Sequence, residues 1–329
     1  MKKLAISMAI AAAMGATAAN AAVVSEYSVG LLVPNVIHDG NGNTTAVSLI
    51  ARKAGVIYWT FFDENSKHVT DGAIEVTEND QVSFVWQNES GVGLENKRGY
   101  LIFLEDVDPD GTGPLKPDGV IDTTDSAAAP LAGSAVQVIP PDDAAYVPAF
   151  PLASVDLEDF PVSPTTLGAG SVDYLVAGAN CVGSGNIITG TIGQLTESIT
   201  GPYVDDIDMR YFIDGEVNSG NDTRIVVWSA QMIKGTYTVN MFDDEQNRKS
   251  VNFELKNEEL NFIDPETIAG RPAGFTDGFI RWDVPCGYTD ADHLNPAPWN
   301  GVITYSQVDA PDFKAVQTII NPFGTNVTP

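Results

Sequence analysis

Residues 43–62 read NTTAVSLIARKAGVIYWTFF, and residues 221–242 read NDTRIVVWSAQMIKGTYTVNMF. Gly55 of the first stretch aligns with Gly235 of the second at an offset of 180 residues. After this glycine, large apolar residues recur at every second position in both stretches, which is the period of a β-strand with one face in a core. An acidic turn follows each stretch, DEN from residue 63 and DDE from residue 243. The pair therefore predicts a strand-and-turn unit that occurs twice in the chain.

The similarity keeps its register beyond these two stretches. Residues 80–85 align with 258–263 at an offset of 178, and residues 98–103 align with 277–282 at an offset of 179. A match of about 60 residues in register indicates a duplicated unit of about 100 residues. Strand patterns and turns alternate without a helical period. The predicted fold is therefore all-β, with two tandem, internally duplicated β-sandwich (Ig-like) domains of six or seven strands each.

The chain divides into three segments. Residues 1–21 have a basic start, an apolar stretch and an Ala-Asn-Ala cleavage site, which together predict a signal peptide. We expect the first sandwich unit over residues 22–164 and the second over 165–329. Residues 139–170 carry six prolines. Because proline is excluded from interior strands, this segment is predicted to cross over the first unit and then to become the linker.

The charge of the chain excludes several classes of partner. Without the signal peptide, 15 basic residues stand against 44 acidic ones, a net charge of −29. Nucleic acid requires a basic surface, and anionic lipid repels an acidic one, so neither is expected as a partner. No later apolar stretch reaches the length of a transmembrane helix, so membrane insertion is not expected either. We expect a secreted bacterial protein that is extracellular or on the outer cell surface, with the periplasm as the alternative.

Cys181 and Cys286 are the two cysteines of the chain. In an exported protein, an even number of cysteines predicts a disulfide. The bond would close a loop of about 105 residues within the second unit and stabilise it by a few kcal/mol. Two buried free thiols are the alternative.

An aspartate-rich loop after the strand at residues 100–104 is the main candidate for a metal site. It begins with the D-x-D-x-D-G spacing in which alternate carboxylates converge on one Ca²⁺ ion. Proline occupies its twelfth position and no amphipathic helix flanks it, so the loop is not an EF-hand. We predict an irregular calcium site, with a solvated acidic turn as the alternative. Its predicted ligands are Asp106, Asp108, Asp110, Asp118 and Asp122.

Other candidate sites are weaker. Residues 290–295 place Asp290, Asp292, His293 and Asn295 in the equivalent loop of the second unit, but a loop held by a disulfide explains them equally well. Trp299 is the tryptophan expected to be exposed, whereas Trp59 follows the core pattern of its strand. The three histidines are scattered, and the serine-hydrolase, dinucleotide and haem motifs are missing from the sequence.

The sequence thus favours an exported, non-enzymatic protein with a structural, adhesive or assembly role, including filament formation. Its expected partners are a protein or glycan at the cell surface, or further copies of the chain that join through edge strands. The alternative is a secreted polysaccharide-active hydrolase or a carbohydrate-binding protein. A deep pocket with an acid pair would favour the hydrolase, whereas flat sheet faces and open edges would favour assembly.

Overall fold

The computed structural model describes residues 27–28, 30–65, 67–106, 131–140, 143–152, 205–213, 222–229, 233–284, 302–310, 315–321 and 323–325. These residues form an all-β structure of four antiparallel sheets, which confirms the all-β part of the predicted fold. The two short helices, Trp86–Glu89 and the 3₁₀ helix Pro265–Thr267, follow strands of the two halves. No helix within the described ranges is long and apolar enough to cross a membrane.

The first half of the chain contributes nine described strands: β1 (Gly30–Val36), β2 (Thr44–Ala51), β3 (Gly55–Asp63), β4 (His68–Val76), β5 (Asp80–Val85), β6 (Gly99–Asp106), β7 (Leu131–Ile139), β8 (Asp143–Val147) and β9 (Phe150–Leu152). The second half contributes nine more: β10 (Asp205–Phe212), β11 (Asp222–Ser229), β12 (Gly235–Asp243), β13 (Arg248–Leu255), β14 (Leu260–Ile263), β15 (Asp277–Val284), β16 (Val302–Ala310), β17 (Ala315–Ile320) and β18 (Phe323–Thr325).

The order of the strands repeats between the halves. In the first half, sheet I has the order β5-β2-β7-β8 and sheet II the order β4-β3-β6-β1-β9. In the second half, sheet III has the order β14-β11-β16-β17 and sheet IV the order β13-β12-β15-β10-β18. Each strand of the first half therefore has its counterpart nine strands later, in the equivalent position of the equivalent sheet.

One part of the sequence alignment was out of register. Val47 on β2 faces Phe84 on β5, and its counterpart Ile225 on β11 faces Ile263 on β14. Phe84 is therefore equivalent to Ile263 at an offset of 179, whereas the sequence comparison used 178 for this strand. A shift of one residue exchanges the two faces of a strand, so the correction decides which side chains of β14 point into the core.

The expected strand count was also too low, because the proline-rich segment conceals two strands. β8 and β9 both lie within residues 139–170, and each occupies an edge of its sheet. Pro151 lies in β9 opposite Leu31, where the free side of an edge strand tolerates a residue without an N–H group. Residues 141–142 and 153–170 of that segment lie outside the described residues.

Three apolar clusters order the sheets into a stack. One lies between sheets I and II and includes Leu49, Trp59 and Phe103. Another lies between sheets III and IV and includes Met209 and Trp282. The third combines residues of both halves between sheets II and III: Leu32, Val56, Tyr58, Phe62, Tyr100, Ile102, Leu104, Phe150, Val226, Trp228, Leu260, Ile303 and Tyr305. The order of the layers is therefore I, II, III, IV.

This stacking buries β3 on both of its faces. The sequence predicted one buried face, formed by Ile57, Trp59 and Phe61, and that prediction is confirmed. However, Tyr58 and Phe62 on the opposite face are also buried, because sheet III of the second half covers them. Trp228 packs edge-on against Tyr100 in this layer, with ring centroids 5.8 Å apart.

The acidic turns that end the two repeated stretches have the same hydrogen bonds. Asp63 Oδ1 accepts from the backbone N–H groups of Asn65 and Lys67. Asp243 Oδ1 accepts from those of Glu245 and Asn247 in the second half. Both turns connect paired neighbouring strands, as predicted. The loop at residues 39–43 connects β1 of sheet II to β2 of sheet I, and an antiparallel bridge pairs His38 with Thr44 across it.

Candidate functional site

Most of the predicted site residues lie outside the described part of the chain. This applies to Asp108, Asp110, Asp118 and Asp122 of the calcium loop, to Cys181 and Cys286, and to residues 290–299. Asp106 is the last residue of β6, so the calcium loop would start at that end of sheet II. Within the described ranges, no three His, Cys, Asp or Glu side chains are grouped closely enough to hold a metal ion. The calcium site and the disulfide therefore stay predictions.

Glu105 lies beside the start of that loop, and its carboxyl group is in an apolar environment. It lies on the same face of β6 as Leu101 and Phe103, opposite Ile57, and only 3% of its surface is exposed. Neither carboxyl oxygen has a hydrogen-bond partner among the described residues. Burial raises the pKa of Glu105 to about 8 from its ordinary value of 4.5. The carboxyl is therefore mainly neutral at pH 7, and its alternation with Leu101 and Phe103 is a sequence signal that was missed.

An open pocket of about 520 Å³ lies in the first half. Its lining is mainly polar and consists of Ile37, Asp63, Glu64, Asn65, Gly93, Glu95, Asn96, Lys97 and Arg98. Burial raises the pKa of Glu64. The positive charge of Arg98 opposes this shift, and the negative charge of Asp63 adds to it. Burial, together with the nearby Arg224, lowers the pKa of Arg98 to about 10. At neutral pH, Arg98 is therefore a cation between the two halves.

The polar groups of this pocket hold the halves together. Arg98 donates to Asn35 Oδ1 at 2.9 Å, and its guanidinium lies over the ring of Phe262 on β14. The carbonyl oxygen of Glu64 accepts from the N–H groups of Glu259 and Leu260. The contacts with Phe262, Glu259 and Leu260 cross from the first half to the second, so Arg98 and Glu64 have a structural role at the junction. The pocket is open, whereas a deep cleft was expected of a hydrolase.

The outer face of sheet IV, at one end of the stack, is charged. Arg281 donates from two nitrogens to the carboxylate of Asp208, at 2.8 Å each, and Arg210 pairs with Asp277 at 2.6 Å. The hydrogen bond that the protonated Asp283 donates to Asp206, together with a smaller effect of burial, raises the pKa of Asp283 to about 6. These residues form a polar network on the strands β10 and β15.

The outer face of sheet I, at the other end of the stack, has a different composition. The alternate residues of β2 and β7, such as Val47 and Ala135, point into the core, so their neighbours point outward. Every outward strand residue of sheet I is uncharged. On β2 and β5 these residues are Thr44, Ala46, Ser48, Ile50, Gln81, Ser83 and Val85, and on β7 and β8 they are Ala132, Ser134, Val136, Val138, Ala144 and Tyr146. We call this surface the uncharged face.

The centre of the uncharged face is flat. Ser48 faces Ser83 on one side and Ser134 on the other, so three small side chains lie in a row across three strands. Larger apolar residues surround this row: Ile50, Val138 and Tyr146 are 41%, 39% and 39% exposed. They are three of the four large hydrophobic residues that are exposed among the described residues, so exposed apolar surface is concentrated on this face.

The equivalent face in the second half is buried. By the strand register, Ser48 is the counterpart of Val226 and Ile50 is the counterpart of Trp228. Val226 and Trp228 both lie in the apolar layer between sheets II and III. One copy of the duplicated face thus packs against a neighbouring sheet, whereas no sheet among the described residues covers the other copy. A large uncharged patch that is exposed in this way is typical of an interaction surface.

Comparisons with known proteins do not assign the chain to a family. No family model matches it, and no curated protein matches it. Among solved structures, vicilin from Capsicum annuum is similar over 90% of this chain and 76% of its own, with 11% identity and a TM-score of 0.19. Vicilin from Corylus avellana (hazelnut) is similar over 90% and 75%, with 11% identity and a TM-score of 0.18. Scores this low do not support an inference about fold or function.

Proposed function

We propose that this chain is an exported, non-enzymatic protein with a structural, adhesive or assembly role on the cell surface or outside the cell. The observation that carries the proposal is the uncharged face of sheet I. A chain with 44 acidic residues and 17 basic ones has charged side chains in abundance, yet none stands at the outward strand positions of this face. Uncharged, partly apolar surface of this kind is suited to contact with another protein rather than with water.

The proposal includes a finer description of the architecture. Each half is an Ig-like β-sandwich domain, and the proline-rich stretch, beyond its two edge strands, connects the two domains. The repeated strand order and the separate core of each half support this division. Expression of residues 22–164 and 165–329 as separate chains tests it. The Ig-like division predicts that each chain keeps its β-sheet circular dichroism, with reduced solubility from the exposed faces of sheets II and III.

Fractionation of the native source, followed by electron microscopy, tests the role. We expect the protein in the extracellular or outer-surface fraction, in ordered layers, fibres or discrete oligomers. Recovery as a monomer that degrades a polysaccharide would instead favour the secreted hydrolase.

Calcium stabilisation belongs to the same proposal. If the loop after β6 binds calcium, Ca²⁺ should raise the melting temperature above that in EDTA, because an ion that binds the folded state selectively stabilises it. The double substitution Asp108→Ala with Asp110→Ala should abolish this increase. Asp39→Ala with Asp264→Ala, which removes two acids elsewhere, should preserve it. An identical melting temperature with and without Ca²⁺ would eliminate the site.

A further inference from the structure

We infer that the uncharged face binds the uncharged face of a second copy of this chain, so that the protein forms a dimer with a twofold axis near Ser48 and Ser134. This inference rests on the proposed assembly role and names its partner. The two halves of one chain already show that its sheets pack face to face, since sheet III covers sheet II. The open face is the counterpart of the face that sheet III uses for this packing.

Electrostatics favours this occupant. Two copies of a strongly acidic chain repel each other over most of their surfaces. The uncharged face is a region where they can approach without opposing like charges directly. In a twofold dimer, each serine of the central row would meet the same small, uncharged surface of the partner, and sheets with small side chains can pack closely.

The available area is sufficient for a weak dimer. Four strands about 4.8 Å apart and roughly 24 Å long cover about 450 Å². Two such faces would bury on the order of 1,000 Å², which is near the lower limit for a specific interface. We therefore expect a reversible dimer at micromolar concentrations rather than a permanent one.

Salt distinguishes this contact from one made by charged surfaces. Salt screens the repulsion between two acidic copies while it leaves the apolar contact intact. Raising NaCl from about 20 mM to about 500 mM should therefore tighten the dimer about tenfold or more. A dimer held by the arginines and aspartates of sheet IV would weaken under the same change.

The test is sedimentation velocity of the mature full-length chain over a concentration series at low and high salt. Ser48→Glu with Ser134→Glu should shift the protein to monomer, because four carboxylates would face one another at the twofold axis. The matched control, Thr238→Glu with Ser250→Glu, adds the same charge at exposed strand positions of sheet IV and should leave the dimer unchanged. Circular dichroism and melting temperature verify that both variants fold.

Cross-linking gives a second test that introduces no charge. A short bis-maleimide should join copies of Ser134→Cys, and it should not join copies of Thr238→Cys. A monomer at every concentration and salt condition would overturn the inference, and so would a dimer that survives the Ser48→Glu, Ser134→Glu double substitution. If the native protein still forms surface layers in either case, the assembly role stands and only the assigned face is wrong.

Discussion

Glu105 allows a sharp test of the packing between sheets I and II. Its folded pKa of about 8 lies above the ordinary value of 4.5, so folding favours the neutral carboxyl. A group of this kind contributes stability that is complete below pH 4.5 and is lost as the pH rises through 8. The full shift corresponds to about 5 kcal/mol, of which about 4 kcal/mol would be lost between pH 5 and pH 9.

Glu105→Gln keeps the shape of the side chain and removes the titration. We expect the variant and the wild type to have similar stability at pH 5. At pH 9, the variant should be more stable by about 4 kcal/mol, or about 8 to 16 °C in melting temperature. Urea unfolding at constant ionic strength, followed by tryptophan fluorescence, measures this difference because Trp59, Trp86, Trp228 and Trp282 are buried.

Glu75→Gln is the matched control, since Glu75 is an exposed residue of the edge strand β4. Its effect should stay within about 0.5 kcal/mol at every pH. The comparison between variants also removes the pH dependence that all other carboxylates contribute. If the stability of Glu105→Gln follows the wild type in parallel from pH 5 to pH 9, then Glu105 is not buried as an uncompensated acid and the reasoning fails.

Three further predictions concern the framework. Trp228→Ala should destabilise the chain by about 3–5 kcal/mol and split its calorimetric transition in two, because Trp228 lies in the layer that couples the halves; a single unchanged transition would contradict that coupling. Gly278→Ala should cost about 2 kcal/mol or more in urea unfolding, because the added Cβ would overlap the carbonyl oxygen of Phe242, whereas Gly274→Ala, which has open space around it, should be tolerated. Intact-mass analysis after alkylation should find no free thiol if Cys181 and Cys286 form a disulfide, and two modified thiols would reject the bond.

The sequence was sufficient to predict the elements that depend on local patterns. Alternation identified the core face of β3. Asp63 and Asp243 identified the turns that follow β3 and β12. Both features depend on neighbouring residues alone. The second buried face of β3 depends on contacts with another half of the chain. A signal for it was nevertheless present. Residues 55–62 form an almost continuous apolar run, which is typical of a strand covered on both faces, whereas residues 235–242 alternate with Thr and Asn.

The candidate surface was harder to predict. The outward residues of sheet I come from four strands between residues 46 and 146, and none of these strands is conspicuous alone. Their lack of charge becomes visible only when the pairing of β5, β2, β7 and β8 places them side by side. Glu105 is a different case. Its alternation with Leu101 and Phe103 on β6 indicates an inward side chain, but this signal was missed because a glutamate at the end of a strand is also typical of an exposed turn.

The differences between the copies explain why stacking stops at one end of the molecule. Sheet II meets sheet III through apolar residues, including Leu32, Ile102 and Leu104. The registers place Asp208, Arg281 and Asp283 at the equivalent positions of sheet IV. A charged outer face of this kind resembles the polar capping unit of a repeat array, since burying its ion pairs against another sheet would cost desolvation energy.

Sheet I at the opposite end has no such cap. Among the sheets that the structure describes, sheet I provides the open end of the stack and sheet IV the charged end. A contact through sheet I uses the open end of both copies, so it cannot be repeated to extend the stack. Association through the uncharged face therefore produces a closed pair, a stack of eight sheets with a charged sheet IV at each end. If the protein forms longer filaments, a different contact must join these pairs, and an edge strand such as β4 or β13 is the structural element suited to it. Filaments that persist in the Ser48→Glu, Ser134→Glu variant would show that such an edge contact assembles the protein without the dimer.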